Sequence, residues 1–207
     1  ERIFFTSGCS EYDNWAIIKA AQMMSDKGRQ LITSSIEHPA VINTMKALQD
    51  EGFDVTFLPV DEKGLVSVDS VRDAIREDTT LISIMTANNE IGTIEPVAEI
   101  GELAHEHGIL FHTDAVQAFG QIPINPDEMN IDMLSMSGHK FHGPKGVGAL
   151  YVRNGILLNN LIDGGAQERG KRAGTENTPG IVGMGEAIER AVATMDERNK
   201  KMKVIQD

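Results

Sequence analysis

Ser137-Gly138-His139-Lys140-Phe141-His142-Gly143-Pro144-Lys145-Gly146 follows directly on an apolar, strand-like run at 131–136. It sets one lysine among hydrogen-bond donors on a glycine-rich turn at the end of a strand. Such a lysine is expected to lose hydration, and desolvation disfavours the ammonium form. A neutral amine is what Schiff-base chemistry with an aldehyde requires. Upstream, a second apolar run ends in His112-Thr113-Asp114-Ala115-Val116-Gln117. A buried aspartate there could keep a pyridinium nitrogen protonated. Lysine and aspartate so paired meet the binding requirement of pyridoxal 5'-phosphate (PLP).

Working outward, short β-rich runs alternate with helical patterns. Strands are predicted at 2–6, 30–34, 54–58, 81–85, 109–112, 133–136 and 147–152. Several are almost continuously apolar, as strands covered on both faces are. Apolar residues at three- and four-residue spacing predict helices at 11–27, 40–50, 68–76 and 97–107. One long helix is predicted over 179–206. The alternation predicts an α/β fold: three layers, α/β/α, around a mostly parallel sheet of roughly seven strands. The last two strands leave no room for a full helix between them, so that pair admits an antiparallel strand. Ligands in such sheets sit beyond the carboxyl ends of the strands. Ser10, His38, Asn89, Asp114 and Lys140 each follow a different strand and fall there.

Each candidate also has a plainer reading. Ser10, with Asp13 three residues on, makes a capping-box pattern. The same helix start could cradle phosphate through the Ser10 hydroxyl and the Cys9 and Ser10 amides. His38, ahead of Pro39, is a surface or capping residue, or a flat ring stacked on the pyridine that moves protons at the substrate's α-carbon. Asn89 is a turn residue or a donor to the cofactor's phenolate oxygen. Gln117, on the same side of a helical turn as Asp114, could reach that oxygen too. Ser137 and His139 can donate to phosphate. Lys145 is read as structural or solvated, pointing elsewhere. His105 and His107 are read as an exposed helix end. Arg169-Gly170-Lys171-Arg172-Ala173-Gly174-Thr175-Glu176-Asn177 is a basic loop, either an anion site or solvated. Cys9 is read as a small residue in a crowded turn, not as a nucleophile.

The bulk numbers narrow the classes. With 207 residues the chain can bury one sizeable core. A formal net charge of −12 argues against nucleic acid or an anionic membrane as a bulk partner. No apolar run approaches the roughly 20 residues of a membrane span. A single cysteine excludes an internal disulfide and a cysteine-rich metal site, and fits a reducing, cytoplasmic setting. The opening Glu1-Arg2-Ile3-Phe4-Phe5 reads as a strand under way, and the last helix has no stop signal. The expectation is therefore one domain, 1–207, cut from a longer protein.

Phe5-Thr6-Ser7-Gly8, Glu37-His38-Pro39-Ala40-Val41, Asn88-Asn89-Glu90-Ile91-Gly92, His112 to Gln117, Ser137 to Gly148 and Arg172-Ala173-Gly174-Thr175-Glu176-Asn177 resemble the class V aminotransferase family. Within that family they are most similar to the cysteine desulfurases of the NifS/IscS type. The resemblance implies the large domain of a PLP-dependent fold type I enzyme. In it Lys140 bonds the cofactor, Asp114 partners the pyridine nitrogen, His38 stacks on the ring, and Asn89 and Gln117 lie near the phenolate oxygen. Ser10, Ser137 and His139, with the Cys9 amide, take the phosphate. Thr175 reaches the phosphate of a neighbouring subunit, which implies a homodimer. The implied reaction turns L-cysteine into L-alanine and an enzyme persulfide. Its sulfur goes to an acceptor protein for iron–sulfur cluster assembly or thiolation. The family's persulfide cysteine, its carboxylate-gripping arginine and an N-terminal closing segment do not match any stretch here, so the chain alone is expected to be inactive. A selenocysteine lyase or other class V enzyme is the alternative activity, and a non-catalytic scaffold the alternative to any activity.

Overall fold

The computed structural model describes residues 2–206. Seven strands form one sheet in the order β1-β7-β6-β5-β4-β2-β3. They are β1 (Ile3–Thr6), β2 (Gln30–Ser34), β3 (Asp54–Leu58), β4 (Thr79–Ser83), β5 (Leu110–Asp114), β6 (Met133–Ser137) and β7 (Gly148–Val152). β2 through β6 pair in parallel; β7 runs antiparallel to both β6 and β1, because the connection from β6 is a turn and not a crossover helix. The fourth strand begins two residues earlier than its apolar run predicts, since Thr79 and Thr80 join the ladder and are buried.

Successive strand residues point to opposite faces, and both faces are covered. Leu31, Leu81, Met133 and Leu150 pack with α1 (Cys9–Met24) and α2 (Pro39–Asp50). Their neighbours Ile32, Ile82, Leu134 and Tyr151 pack with α3 (Val68–Ala74), α4 (Val97–Glu106) and α5 (Thr178–Ala193). This is the expected three-layer arrangement, and its double coverage explains the near-continuous apolar strands.

The predicted long C-terminal helix is two helices. α5 ends at Ala193 and α6 (Met195–Gln206) follows Thr194, whose backbone has left the helical well. The Thr194 hydroxyl donates to the Arg190 carbonyl at 2.8 Å, a back-bond that bends helices. α6 then turns so that Arg198 donates to the Gly120 and Ala191 carbonyls and Asn199 to the Gln121 carbonyl.

The first helix also starts differently from its sequence pattern. Gly8, not Ser10, is the N-cap, and α1 begins at Cys9. Ser10 therefore lies inside the first turn, and Asp13 is buried and does not close a capping box. Glu11 reaches back in its place, accepting from the Ser7 amide at 3.1 Å and from the Ser7 hydroxyl. The Tyr12 hydroxyl pins the entry, accepting from the Thr6 amide at 3.1 Å and donating to the Thr6 carbonyl at 3.2 Å. Its ring lies against Gly148, where a Cβ would stand 2.6 Å from Tyr12 Cε2 and 2.5 Å from the Met136 carbonyl oxygen. Gly148→Ala should therefore cost about 2–3 kcal/mol of stability, because a backbone oxygen cannot swing away. Urea denaturation reads this directly, and a loss below about 0.5 kcal/mol would contradict the packing.

Candidate active site

The carboxyl ends of the parallel strands bring most of the predicted residues to one cavity. Cys9, His38, Met85, Asn89, Asp114, Val116, Gln117, His139 and Lys140 line it. An adjoining cavity is lined by Ser7, Gly8, Cys9, Ser10, Glu11, Ser137, His139, Lys145 and Gly146. Lysine and aspartate thus share one opening, and the glycine-led start of α1 lies next to it.

Lys140 stands on a 3₁₀ turn, Gly138–Phe141, that continues β6. The turn closes tightly: the Gly143 amide donates to the Gly138 carbonyl at 2.8 Å, and His142 adopts φ 68°. Phe141 is buried beneath it and Lys140 is exposed. The burial expected of this lysine is thus absent, because the turn lifts it off the strand end. Any desolvation must come from what fills the cavity. Beside it the Ser137 hydroxyl and His139 Nδ1 are 2.9 Å apart. Partial desolvation, then Lys140 and Lys145, hold the His139 imidazole below its ordinary value. Lys145 does not point elsewhere; it lines the second cavity with Ser137 and His139. The sequence signal was its place on the return of the same glycine-rich turn.

Asp114 ends β5 and is 4% exposed. Its Oδ1 accepts from the Val116 amide at 2.9 Å. Gln117 follows on a single turn, not a helix, closed by the Ala118 and Phe119 amides on the Ala115 carbonyl. Asp13 of α1 is buried within electrostatic reach of Asp114. Burial, and then each other's charge, raises Asp13 well above the carboxylate range. Asp114 is raised as well, but the Val116 amide, His38 and Lys140 oppose that rise. With the Val116 amide and Lys140 beside it, Asp114 is the better placed of the two to carry charge. Below them His112 bridges Ser83 at 2.9 Å and Ser135 at 3.0 Å, and burial lowers it to about 3, so it stays neutral.

His38 fits its plainer reading as a cap and also faces the cavity. It caps α2, its Nδ1 accepting from the Ala40 amide at 3.2 Å, and its ring lines the cavity. Asn88, not Asn89, builds the loop after β4: it donates to the Ile36 carbonyl at 2.9 Å and accepts from the Glu90 and Ile91 amides. Asn89 is left exposed at the cavity, donating to Glu90 at 2.8 Å.

The remaining expectations divide. Ser10 is in the adjoining cavity and not in that of Lys140. Thr175 lies in neither; it lines a third cavity with Phe5, Gly146 and Asn177. In the basic loop Arg172 is paired with Glu11 at 2.8 Å and Arg169 covers the Phe4 ring at 4.1 Å. His105 is half-buried, with its Nε2 3.1 Å from Asp132, while His107 is exposed. Burial and the nearby Asp13 and Asp114 push the Cys9 thiol up to about 11, which suits the reading of Cys9 as no nucleophile.

Glu37 was missed by its type, since a carboxylate ahead of a histidine reads as surface. It is buried, with Oε1 accepting from the Ser34 hydroxyl at 2.6 Å and the Met85 amide at 3.0 Å, while Oε2 accepts nothing. Burial pushes it up to about 8. A carboxyl raised in the folded state holds its proton longer there than in the unfolded chain. Its contribution is therefore full below the unfolded value and lost as pH rises toward 8, by about 1.4 kcal/mol per pH unit. Glu37→Gln keeps both accepted bonds and should flatten that decline between about pH 5 and pH 8. Urea midpoints measured across this window check it, and equal slopes for the two proteins would contradict it.

The chain belongs to the class V aminotransferase family, whose model matches residues 1–205. Among curated relatives it is similar to the cysteine desulfurase IscS of Clostridium botulinum, 61% identical over 200 residues, 97% of this chain and 50% of that protein. The cysteine desulfurase IscS of Methanosarcina thermophila is 59% identical over 205 residues, 99% of this chain and 51% of that one. Among solved structures a NifS-like protein superposes with a TM-score of 0.96 at 45% identity, covering 99% of this chain and 57% of that chain. SspA in complex with cysteine superposes with a TM-score of 0.87 at 53% identity, covering 90% and 55%. The chain thus spans about half the length of the curated relatives it matches. No helix among the described residues is long and apolar enough to cross a membrane.

Proposed function

We propose that this chain is the PLP-binding large domain of a cysteine desulfurase and that its parent converts L-cysteine to L-alanine, passing sulfur to a persulfide. The observation that carries the reading is Lys140 and Asp114 on one cavity beside the start of α1. The donors fit the cofactor. Asp114, charged and held by Val116, suits a protonated pyridine nitrogen. The Cys9 and Ser10 amides, at a helix start with no intrahelical acceptor, suit a phosphate, joined by Ser10, Ser137 and His139. When bound, PLP supplies an aldehyde for the amine and an electron sink for charge at the substrate's α-carbon.

Lys140 would hold the cofactor's aldehyde carbon and could afterwards move protons. His38, fixed by its cap bond and lining the cavity, would stand beside the ring and could take or return a proton. Asn89 and Gln117 would be the donors to its phenolate oxygen. Relatives named cysteine desulfurase, and a similar structure holding cysteine, support L-cysteine as substrate. The persulfide thiol belongs elsewhere in the parent, since Cys9 is held as a thiol. Thr175, away from its own Lys140 cavity, suits the phosphate of a second subunit, so we include a homodimer in the proposal. A sulfur-acceptor protein and a cytoplasmic setting complete it. With a thiol reductant present to take the persulfide sulfur off as sulfide, the parent protein should release alanine and sulfide in equal amounts from L-cysteine. Turnover of selenocysteine with none of cysteine would overturn the substrate assignment.

A further inference from the structure

Asp13 has no role in the chemistry above, yet it is fully buried and neither carboxyl oxygen completes a hydrogen bond. His112 Nε2 stands 3.8 Å away, too far to satisfy it. Cys9 Sγ, a carboxyl oxygen of Asp13 and an imidazole nitrogen of His38 all lie within 4.8 Å of one another. Cys9 and Asp13 are one helical turn apart on one face of α1, and His38 is presented by the cap of α2. Thiolate, imidazole and carboxylate are a zinc donor set, with bonds of about 2.0–2.3 Å. Donors around a tetrahedral zinc are about 3.3–3.8 Å apart, so the three need close by only about 1 Å. Buried Asp13, Asp114 and Glu37 are also within electrostatic reach of one another, and a divalent cation offsets charge that burial otherwise penalises.

We infer that the cofactor-free protein binds one Zn²⁺ through Cys9 Sγ, the Asp13 carboxylate and the His38 imidazole, at a site the PLP ring and the ion occupy alternately. The ion site stands on these three side chains alone; its exclusion of PLP rests on the proposed function. Exclusion follows because Cys9 and His38 also line the Lys140–Asp114 cavity. Binding releases to solvent the thiol proton of Cys9 and the carboxyl proton of buried Asp13, so affinity weakens as pH is lowered.

Co²⁺, with Zn²⁺ as competitor, is the probe. One equivalent added to the cofactor-free protein should give tetrahedral cobalt bands in the visible and a thiolate charge-transfer band in the near ultraviolet, both bleached by one equivalent of Zn²⁺. Cys9→Ser should lose the charge-transfer band. The near-isosteric Asp13→Asn should weaken cobalt binding at least tenfold, with circular dichroism verifying that each variant is folded. Lys140→Ala should keep both bands, and this holds whether or not the protein takes up PLP. No charge-transfer band in the wild type, its survival in Cys9→Ser, or unchanged affinity in Asp13→Asn would overturn the ion site. Undiminished cobalt bands in PLP-loaded protein would overturn the alternation. Cobalt uptake by a protein that never takes up PLP would overturn the cofactor reading and leave the ion site standing.

Discussion

Lys140→Ala leaves a folded protein that no longer forms a visible absorbance band with PLP and whose parent no longer turns over L-cysteine. Both losses should be complete, because among the described residues no second lysine lines the cavity; Lys145 lies in the adjoining one. The fold should be indifferent. Lys140 is exposed and makes no contact in either core, so urea stability should stay within about 0.5 kcal/mol of the wild type. Absorbance titration with PLP and a urea midpoint on the same preparation separate the two effects. A persistent band in the variant would move the chemistry to another amine. A lost band with a collapsed midpoint would make Lys140 a structural residue.

Asp114→Asn should separate function from stability in the opposite way. The asparagine carbonyl can still accept from Val116, so the local turn survives. What disappears is the negative charge. Losing one electrostatic contact to a developing charge in a dry site costs about 2.7–4 kcal/mol, a 10²–10³-fold fall in turnover. Lys140 is untouched, so PLP should still give a borohydride-trapped band. Stability should meanwhile hold or rise, because the variant removes the charge that opposes ionisation of buried Asp13. Steady-state turnover by the parent and thermal melts of the two proteins check both halves. Turnover within tenfold of wild type would remove Asp114 from the nitrogen's partnership.

Most of the architecture was legible because double burial of a parallel sheet writes itself as short apolar runs. Leu31 and Ile32, or Met133 and Leu134, serve opposite cores, so neither can be polar. The convergence of His38, Asn89, Asp114 and Lys140 was legible for a topological reason: each sits where a parallel strand ends. Local detail was less so. The capping-box pattern at Ser10 lost to Gly8 because Tyr12 anchors the chain at Thr6, three residues before the helix starts. The break at Thr194 was hidden, since one threonine in an apolar-periodic stretch carries no turn signal until its hydroxyl finds Arg190. Asp13 and Glu37 were invisible as buried acids because charged types are rarely buried without a partner. Lys145 was misplaced because sequence distance from Lys140 does not report how a 3₁₀ turn folds back.

The central claim is that one amine, at 140, faces the carboxylate at 114 across a ring-binding cavity. The direct measurement is peptide mapping by mass spectrometry after PLP is added and fixed with borohydride. The account predicts a single modified peptide, with the adduct on Lys140. Adduct on Lys145 or spread over surface lysines, with Lys140 unmodified, would contradict it.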